Sequence, residues 1–244
     1  MKVKLYGTGS AGARKAKSAC ALIDGRIMFD LPNGSLKSLY ADGVGCDAIE
    51  LVIISHFHGD HDFDVPTFLF GYGAQAPNKT ITIIAPKGAT KRYKTLCKLS
   101  NFHCATPKII EISPKNVGKT TTFGGYSITP YAVKHADLFA LGYTITDQNG
   151  TTIGFGGDSA MCDGLHEIVK ASQTAFIDVA NIAPHPIYVG YHLDIAEYDA
   201  LCKQYPNCKI IPVHMNDDTR EELKKRKYPV PTDGETFEIK GAQK

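Results

Sequence analysis

Apolar and polar positions divide the chain into short strand-like runs and longer helix-like runs. Continuous apolar runs such as residues 51–54, rich in valine and isoleucine, predict buried strands. Runs with apolar positions at helical spacing predict helices, among them residues 87–99, 163–171, 194–204 and 219–227. Strands and helices alternate in both outer parts of the chain, whereas strands joined at glycine turns dominate residues 120–155. This order predicts an α/β protein in which two sheets pack face to face with helices outside.

The loop that follows residues 51–54 carries the strongest chemical signal. It places His56, His58, Asp60 and His61 within six consecutive positions, directly after a predicted buried strand. Polar side chains at a strand end lie on a loop that a rigid scaffold aims at a ligand. A histidine-rich surface loop is the alternative, but four converging side chains with lone pairs are costly to leave unpaired. The spacing therefore favours a metal site.

Three further residues leave apolar strands in the same way. His135, Asp158 and His214 each come directly after a strand-like run. One such residue alone is more often a hydrogen-bonded loop residue than a ligand. Three of them beside the histidine loop predict a shared site. Imidazole and carboxylate donors without a thiolate suit zinc, manganese or iron.

Composition and charge mainly exclude other classes of protein. The chain has 244 residues, of which 43% are hydrophobic and 21% charged, and this suits one globular domain over residues 1–244. A formal net charge of +2 is too small to indicate nucleic acid binding by itself. No apolar run approaches the ~20 residues that cross a bilayer, so no membrane contact is expected.

The cysteines and the N-terminus bear on the cellular compartment. The seven cysteines are odd in number and form no C-x-x-C pair. The first residues lack an apolar signal core and pass directly into a strand-like alternation. Reduced thiols and a cytoplasmic protein are therefore expected, with a disulfide between Cys97 and Cys104 or between Cys202 and Cys208 as the alternative.

Taken in order, the motifs resemble those of the metallo-β-lactamase superfamily over essentially the whole chain. The resemblance implies a four-layer αββα sandwich that binds two divalent metal ions, most often Zn²⁺, with manganese or iron as alternatives. It implies that one metal is held by His56, His58 and His135, that the second is held by Asp60, His61 and His214, and that Asp158 bridges the two.

Within that superfamily, the segment 190–197 resembles the ribonuclease Z and phosphodiesterase branch. The resemblance implies that His192 contacts the phosphate and donates a proton; a local hydrogen bond at a helix start is the alternative reading of this histidine. It also implies a homodimer.

Two departures from ribonuclease Z stand out. Only residues 136–157 separate His135 from Asp158, which leaves no room for a long tRNA-binding arm, and the usual acidic, glycine-containing segment is altered at 31–34.

The leading hypothesis is a dinuclear phosphodiesterase that acts on a small phosphodiester or a nucleotide-type substrate. In it a metal-bridging hydroxide attacks phosphorus, Asp60 orients that nucleophile and His192 protonates the leaving group. Nucleic acid is a less favoured substrate, and a tRNA 3′-processing endonuclease is one alternative. Another alternative is an acyl hydrolase of a lactone, thioester or β-lactam, which would not need His192. A third is a non-catalytic metal protein, against which the complete set of predicted ligands argues.

Overall fold

Two mixed β-sheets packed face to face form the centre of the structure, and helices cover both outer faces. A computed structural model describes residues 1–187 and 189–241. The layers follow the order helix, sheet, sheet, helix. The predicted fold class, an α/β four-layer αββα sandwich, is therefore confirmed. The predicted domain 1–244 includes Tyr188 and residues 242–244, which lie outside the described residues, and that boundary remains a prediction.

The first sheet contains seven strands. They are β1 (Lys2–Gly7), β2 (Cys20–Ile23), β3 (Ile27–Phe29), β4 (Leu51–Ile53), β5 (Thr82–Pro86), β6 (Lys108–Ile112) and β13 (Thr236–Glu238). Their spatial order is β13-β1-β2-β3-β4-β5-β6, with β3 to β6 parallel and the remaining pairs antiparallel. Asp24 and Gly25 join β2 to β3 with φ values of 48° and 73°, so both take the left-handed backbone that tight hairpin turns require.

The second sheet contains six strands. They are β7 (Thr121–Phe123), β8 (Tyr126–His135), β9 (Leu138–Thr146), β10 (Thr152–Phe155), β11 (Thr174–Asp178) and β12 (Lys209–Val213). Their order is β12-β11-β10-β9-β8-β7, with β10 to β12 parallel and the rest antiparallel. Each sheet therefore has one parallel part and one antiparallel part.

Helices occupy the two outer layers and the connections between strands. They are α1 (Ser35–Ala41), α2 (Gly59–Asp62), α3 (Val65–Gln75), α4 (Ala89–Ser100), α5 (Asp163–Ala171), α6 (Ile195–Gln204) and α7 (Asp217–Lys225). The start of α6 has a local cause, because the Asp194 carboxylate accepts the Glu197 N–H at 2.9 Å while Glu197 accepts the Asp194 N–H at 3.1 Å. Among the described helices none is long and apolar enough to cross a bilayer.

The hydrophobic core lies in three layers. Leu5, Ile53, Leu141 and Phe176 are among the buried side chains between the sheets. Separate clusters pack the first sheet against α1, α3 and α4, and the second sheet against α5, α6 and α7. Burial of one such side chain contributes roughly 1.5–3 kcal/mol. The two sheets thus pack directly against each other, and this brings the loops at the ends of their strands together.

Candidate metal centre

The histidine loop begins where β4 ends and includes the short helix α2. Its fold is set by backbone hydrogen bonds: the His61 N–H donates to the His58 carbonyl at 3.0 Å, and the Leu31 N–H donates to the His61 carbonyl at 2.7 Å. Leu31 follows β3, which is parallel to β4. The loop is therefore held against the neighbouring strand end, and Asp60 and His61 lie within α2.

The structure brings His56, His58, His135 and Asp158 together. The Nε2 atoms of His56 and His135 each lie 3.0 Å from His58 Nδ1. Asp158 Oδ2 is 3.8 Å from His56 Nε2 and 3.9 Å from His135 Nε2. His56, His135 and Asp158 are buried, and His58 is partly exposed. One potential ligand atom from each of these four side chains lies within 4.8 Å of the other three.

The protonation of these rings, assigned from their hydrogen bonds, suits a cation. The Ser55 hydroxyl has one proton and donates it to Asp30, so at 3.0 Å it accepts the N–H of His56 Nδ1. The His135 Nδ1–H donates to the Tyr191 carbonyl at 2.8 Å. Both Nε2 atoms therefore carry lone pairs that face His58. Neutral imidazoles with such lone pairs are suitable ligands for a divalent metal.

A second group shares Asp158 with the first and adds Asp60, His61 and His214. Asp158 Oδ2 lies 3.2 Å from both His61 Nε2 and His214 Nε2. Asp60 Oδ2 lies 3.5 Å from His61 Nε2 and 3.3 Å from His214 Nε2. His61 Nε2 is buried and makes no hydrogen bond, although two carboxylates surround it. A metal ion at this point would supply the missing partner.

Carboxylates dominate the electrostatics of the second group. Burial acts to lower the pKa of His61, but Asp158 and Asp30 raise it well above its ordinary value. Burial also acts to lower the pKa of His214, and carboxylates led by Asp158 raise it to about 10. Burial would raise the pKa of Asp158, yet His214 and His61 hold it well below its ordinary value. The site therefore favours positive charge, which a metal cation provides.

Asp30 and Asp178 orient the histidines from outside the two groups. Asp30 Oδ2 lies 2.7 Å from His61 Nδ1, and Asp178 Oδ1 lies 3.4 Å from His214 Nδ1. A carboxylate at hydrogen-bond distance, as Asp30 is from His61, fixes the ring orientation of a metal-binding histidine and raises its basicity. Asp178 Oδ1 and His214 Nδ1 face each other without a hydrogen bond. Neither aspartate was predicted from the sequence to have a role. The sequence does contain a signal for both aspartates, because each stands at the end of an apolar strand, as His135, Asp158 and His214 do.

Three of the six non-glycine residues with positive φ in the described chain lie at or beside the site. Asp30, Ala136 and His214 have φ values of 58°, 49° and 54°, in the left-handed region that residues other than glycine seldom adopt. Gly157, beside Asp158, has a φ of 59°, and an added Cβ there would lie 3.0 Å from the Leu141 carbonyl. Such conformations persist only where the surroundings impose them, and they cluster at functional sites.

His192 lies beside the second group but outside it. Its Nδ1–H donates to Asp178 Oδ2 at 2.6 Å, and its ring stacks on that of His214 with centroids 5.2 Å apart. Burial acts to lower the pKa of His192, but Asp178 outweighs this and raises it. Its hydrogen-bond partner, Asp178, is the last residue of β11. This contact is therefore not the local hydrogen bond at a helix start that was the alternative interpretation of His192. A cleft of about 240 Å³ opens over His58, Asp60, Asp158, His192 and His214.

A protein-family model described as "Beta-lactamase superfamily domain" matches residues 36–215. The chain belongs to this family, the metallo-β-lactamase superfamily. Divalent metals are implied by this family and by the histidine and aspartate groups described above.

A curated relative supports membership of this superfamily. Over 114 residues the chain is 31% identical to Ribonuclease Z of Lacticaseibacillus casei, a match that covers 44% of this chain and 36% of that protein. The chain thus spans little more than a third of the length of this curated relative.

Two solved structures share the fold over nearly the whole chain. The short form of human tRNase Z aligns with a TM-score of 0.80 at 16% identity and covers 98% of this chain and 100% of its own. A diphosphatase of the PhnP family aligns with a TM-score of 0.76 at 16% identity and covers 98% of both chains. At these identities the likeness concerns the fold.

Proposed function

We propose that this protein is a metal-dependent phosphodiesterase with a dinuclear centre. Asp158 is common to three four-residue groups of potential ligands in the described chain, and two of them carry the proposal. One adds His56, His58 and His135, and the other adds Asp60, His61 and His214; the third, with Asp178, His192 and His214, overlaps the second. A carboxylate common to two neighbouring groups suits a two-metal site, in which the ions lie close together.

In this proposal each of these two groups would hold one ion, and Asp158 would be a ligand common to both. The metals would supply Lewis-acid stabilisation of the phosphoryl oxygens and activation of water near neutral pH. Zn²⁺ is the proposed ion because imidazole and carboxylate donors without thiolate suit it, and manganese and iron share this preference. Asp60 is partly exposed to the cleft and orients the attacking group while it contributes to the second site.

His192 is the proposed proton donor to the leaving group. The hydrogen bond from its Nδ1 to Asp178 fixes the ring and favours the protonated imidazolium. Its ring lines the cleft beside His214 without belonging to either proposed ligand set. A positioned acid of this kind contributes typically 10²–10⁴ in rate.

The cleft favours a small phosphodiester or the end of a nucleotide-type molecule. Its volume of about 240 Å³ admits a phosphate and its nearest substituents. Residues 136–157 form β9, β10 and their turns, so the described chain contains no long arm between His135 and Asp158. The curated relative named Ribonuclease Z nevertheless supports a second candidate, tRNA 3′-end processing.

One panel of substrates tests this proposal. Metal-reconstituted protein is assayed with bis-p-nitrophenyl phosphate, nitrocefin, a simple lactone and a tRNA precursor with a 3′ trailer. We expect turnover of the phosphodiester, and an Asp158→Ala variant should abolish it. Cleavage of the precursor alone would favour the tRNA candidate. Turnover of only the lactone or nitrocefin would contradict the phosphodiesterase proposal and favour acyl hydrolysis.

A further inference from the structure

Arg92 of α4 contacts the histidine loop at residues that lie among the proposed ligands. Its guanidinium group reaches Phe57, Asp62 and Phe63. Phe57 stands between His56 and His58, and Asp62 follows directly on Asp60 and His61. Arg92 lies outside the loop but contacts both the segment around Phe57 and the end of the short helix α2.

The contact with Asp62 is a two-point ion pair. Arg92 Nη2 donates to Asp62 Oδ1 at 2.8 Å, and Arg92 Nε donates to Asp62 Oδ2 at 2.5 Å. The Asp62 side chain is fully buried, with 0% exposure. A buried carboxylate needs such a partner, and the planar fork of arginine fixes both its position and its orientation. Because Asp62 is the last residue of α2, this pair holds the helix that carries Asp60 and His61.

Two aromatic rings complete the contact. The Arg92 Cζ atom lies 5.0 Å from the centre of the Phe57 ring and 5.7 Å from that of Phe63. Both distances suit cation–π attraction, which is weaker than the two-point ion pair. The Phe63 ring in turn covers Gly59, where an added Cβ would lie 2.5 Å from Phe63 Cε2. The first residue of α2 is thus packed under the ring that Arg92 contacts.

The helix that carries Arg92 is itself fixed to the first sheet. The Glu111 carboxylate on β6 accepts the Gly88 N–H at 3.1 Å and the Thr90 N–H at 2.9 Å, at the start of α4. The neighbouring Tyr93 is buried in the core. Arg92 therefore connects the histidine loop to a helix that is itself held against the first sheet.

We propose that Arg92 is a positioning residue for the metal centre and acts mainly on the site formed by Asp60, His61 and His214. This inference rests on the metal centre proposed above. The two-point pair is made with Asp62, which belongs to the same short helix as Asp60 and His61. The part of the loop that carries His56 and His58 has only the weaker contact of Arg92 with the Phe57 ring. Partners outside the ligand set commonly alter metal affinity 10–100-fold. Loss of Arg92 should therefore weaken one of the two sites much more than the other.

The test measures Zn²⁺ binding, which does not depend on any substrate. Metal-stripped wild-type protein and the Arg92→Leu variant are titrated with Zn²⁺ in competition with a chromophoric chelator. We expect two binding events in the wild type and a loss of about 10–100-fold in one of them in the variant. Arg92→Lys keeps the charge but not the fork, so it should give an intermediate loss. Lys94→Leu, an exposed lysine on the same helix, should change neither affinity.

Folding is monitored separately by the thermal unfolding of each metal-stripped variant. If Arg92→Leu fails to fold, Arg92→Lys still has to show the unequal loss. Equal losses at both sites in step with lower stability of the metal-stripped protein would mean a purely structural role, and unchanged affinities would overturn the inference directly. If the wild type binds no Zn²⁺, the proposed centre itself fails, which is a different result.

Discussion

Replacing His192 with alanine separates proton donation from metal binding. The ring belongs to neither proposed ligand set, and its hydrogen bond runs to Asp178 rather than to a proposed ligand. The variant should therefore keep the metal content of the wild type. Its turnover of a phosphodiester with a poor alkoxide leaving group should fall, because the departing oxygen no longer receives a proton.

The expected loss of turnover is that of a general acid held in position, because Asp178 orients His192. Asp178 is buried and lies 2.6 Å from His192 Nδ1, so the ring is both oriented and favoured in its charged form. Loss of a positioned acid lowers the rate roughly 10²–10⁴-fold. This equals about 2.7–5.4 kcal/mol in activation free energy, at 1.36 kcal/mol for each factor of ten. A p-nitrophenolate leaving group needs less protonation, so its diester should lose much less.

The assay compares kcat for the two diesters and the metal content of each variant. His185→Ala removes the other cleft histidine outside the proposed ligand sets and is the matched control. It should not show a loss that depends on the leaving group. Equal losses of His192→Ala on both diesters would mean that His192 only holds the phosphate. Loss of metal together with activity would refute the reasoning altogether.

Three further predictions concern the whole molecule. Chelation of the metals should lower the unfolding temperature, because ions present at 100 times their Kd stabilise the fold by about 2.7 kcal/mol; equal unfolding temperatures with and without metal would contradict this. All seven cysteines are unpaired in the structure, so thiol titration of the denatured, unreduced protein should find close to seven thiols, and only one would refute a reduced state. The predicted homodimer should give twice the monomer mass of 26.5 kDa by light scattering; a monomer mass at all concentrations would rule it out.

Sequence pattern was sufficient to predict most of the scaffold. The predicted buried strand 51–54 is observed as β4, which ends one residue earlier at Ile53, and β12 ends at Val213, directly before His214. Helix starts were less accurate. The predicted helix at 219–227 begins at Asp217, because Asn216 has the extended backbone of an N-cap and Asp217 and Asp218 occupy the first turn.

The site was predictable to the extent that its residues share one local signal. His135, Asp158 and His214 each leave an apolar strand, and the structure brings them to the histidine loop. Asp178 carries the same signal, but its contact with His192 depends on β11 and the start of α6 lying side by side. The pairing of Arg92 with Asp62 spans 30 residues and depends on the packing of α4. No periodicity along the chain encodes such contacts between distant side chains.

The central claim is tested most directly by the metal content of the purified protein. Protein prepared without chelator and reconstituted with Zn²⁺ should contain close to two equivalents per chain by elemental analysis. Asp158→Ala removes the residue common to both groups, so it should reduce the content at both sites, whereas His192→Ala should leave it at two. A value near zero in the reconstituted wild type, or two equivalents in the Asp158→Ala variant, would contradict the account.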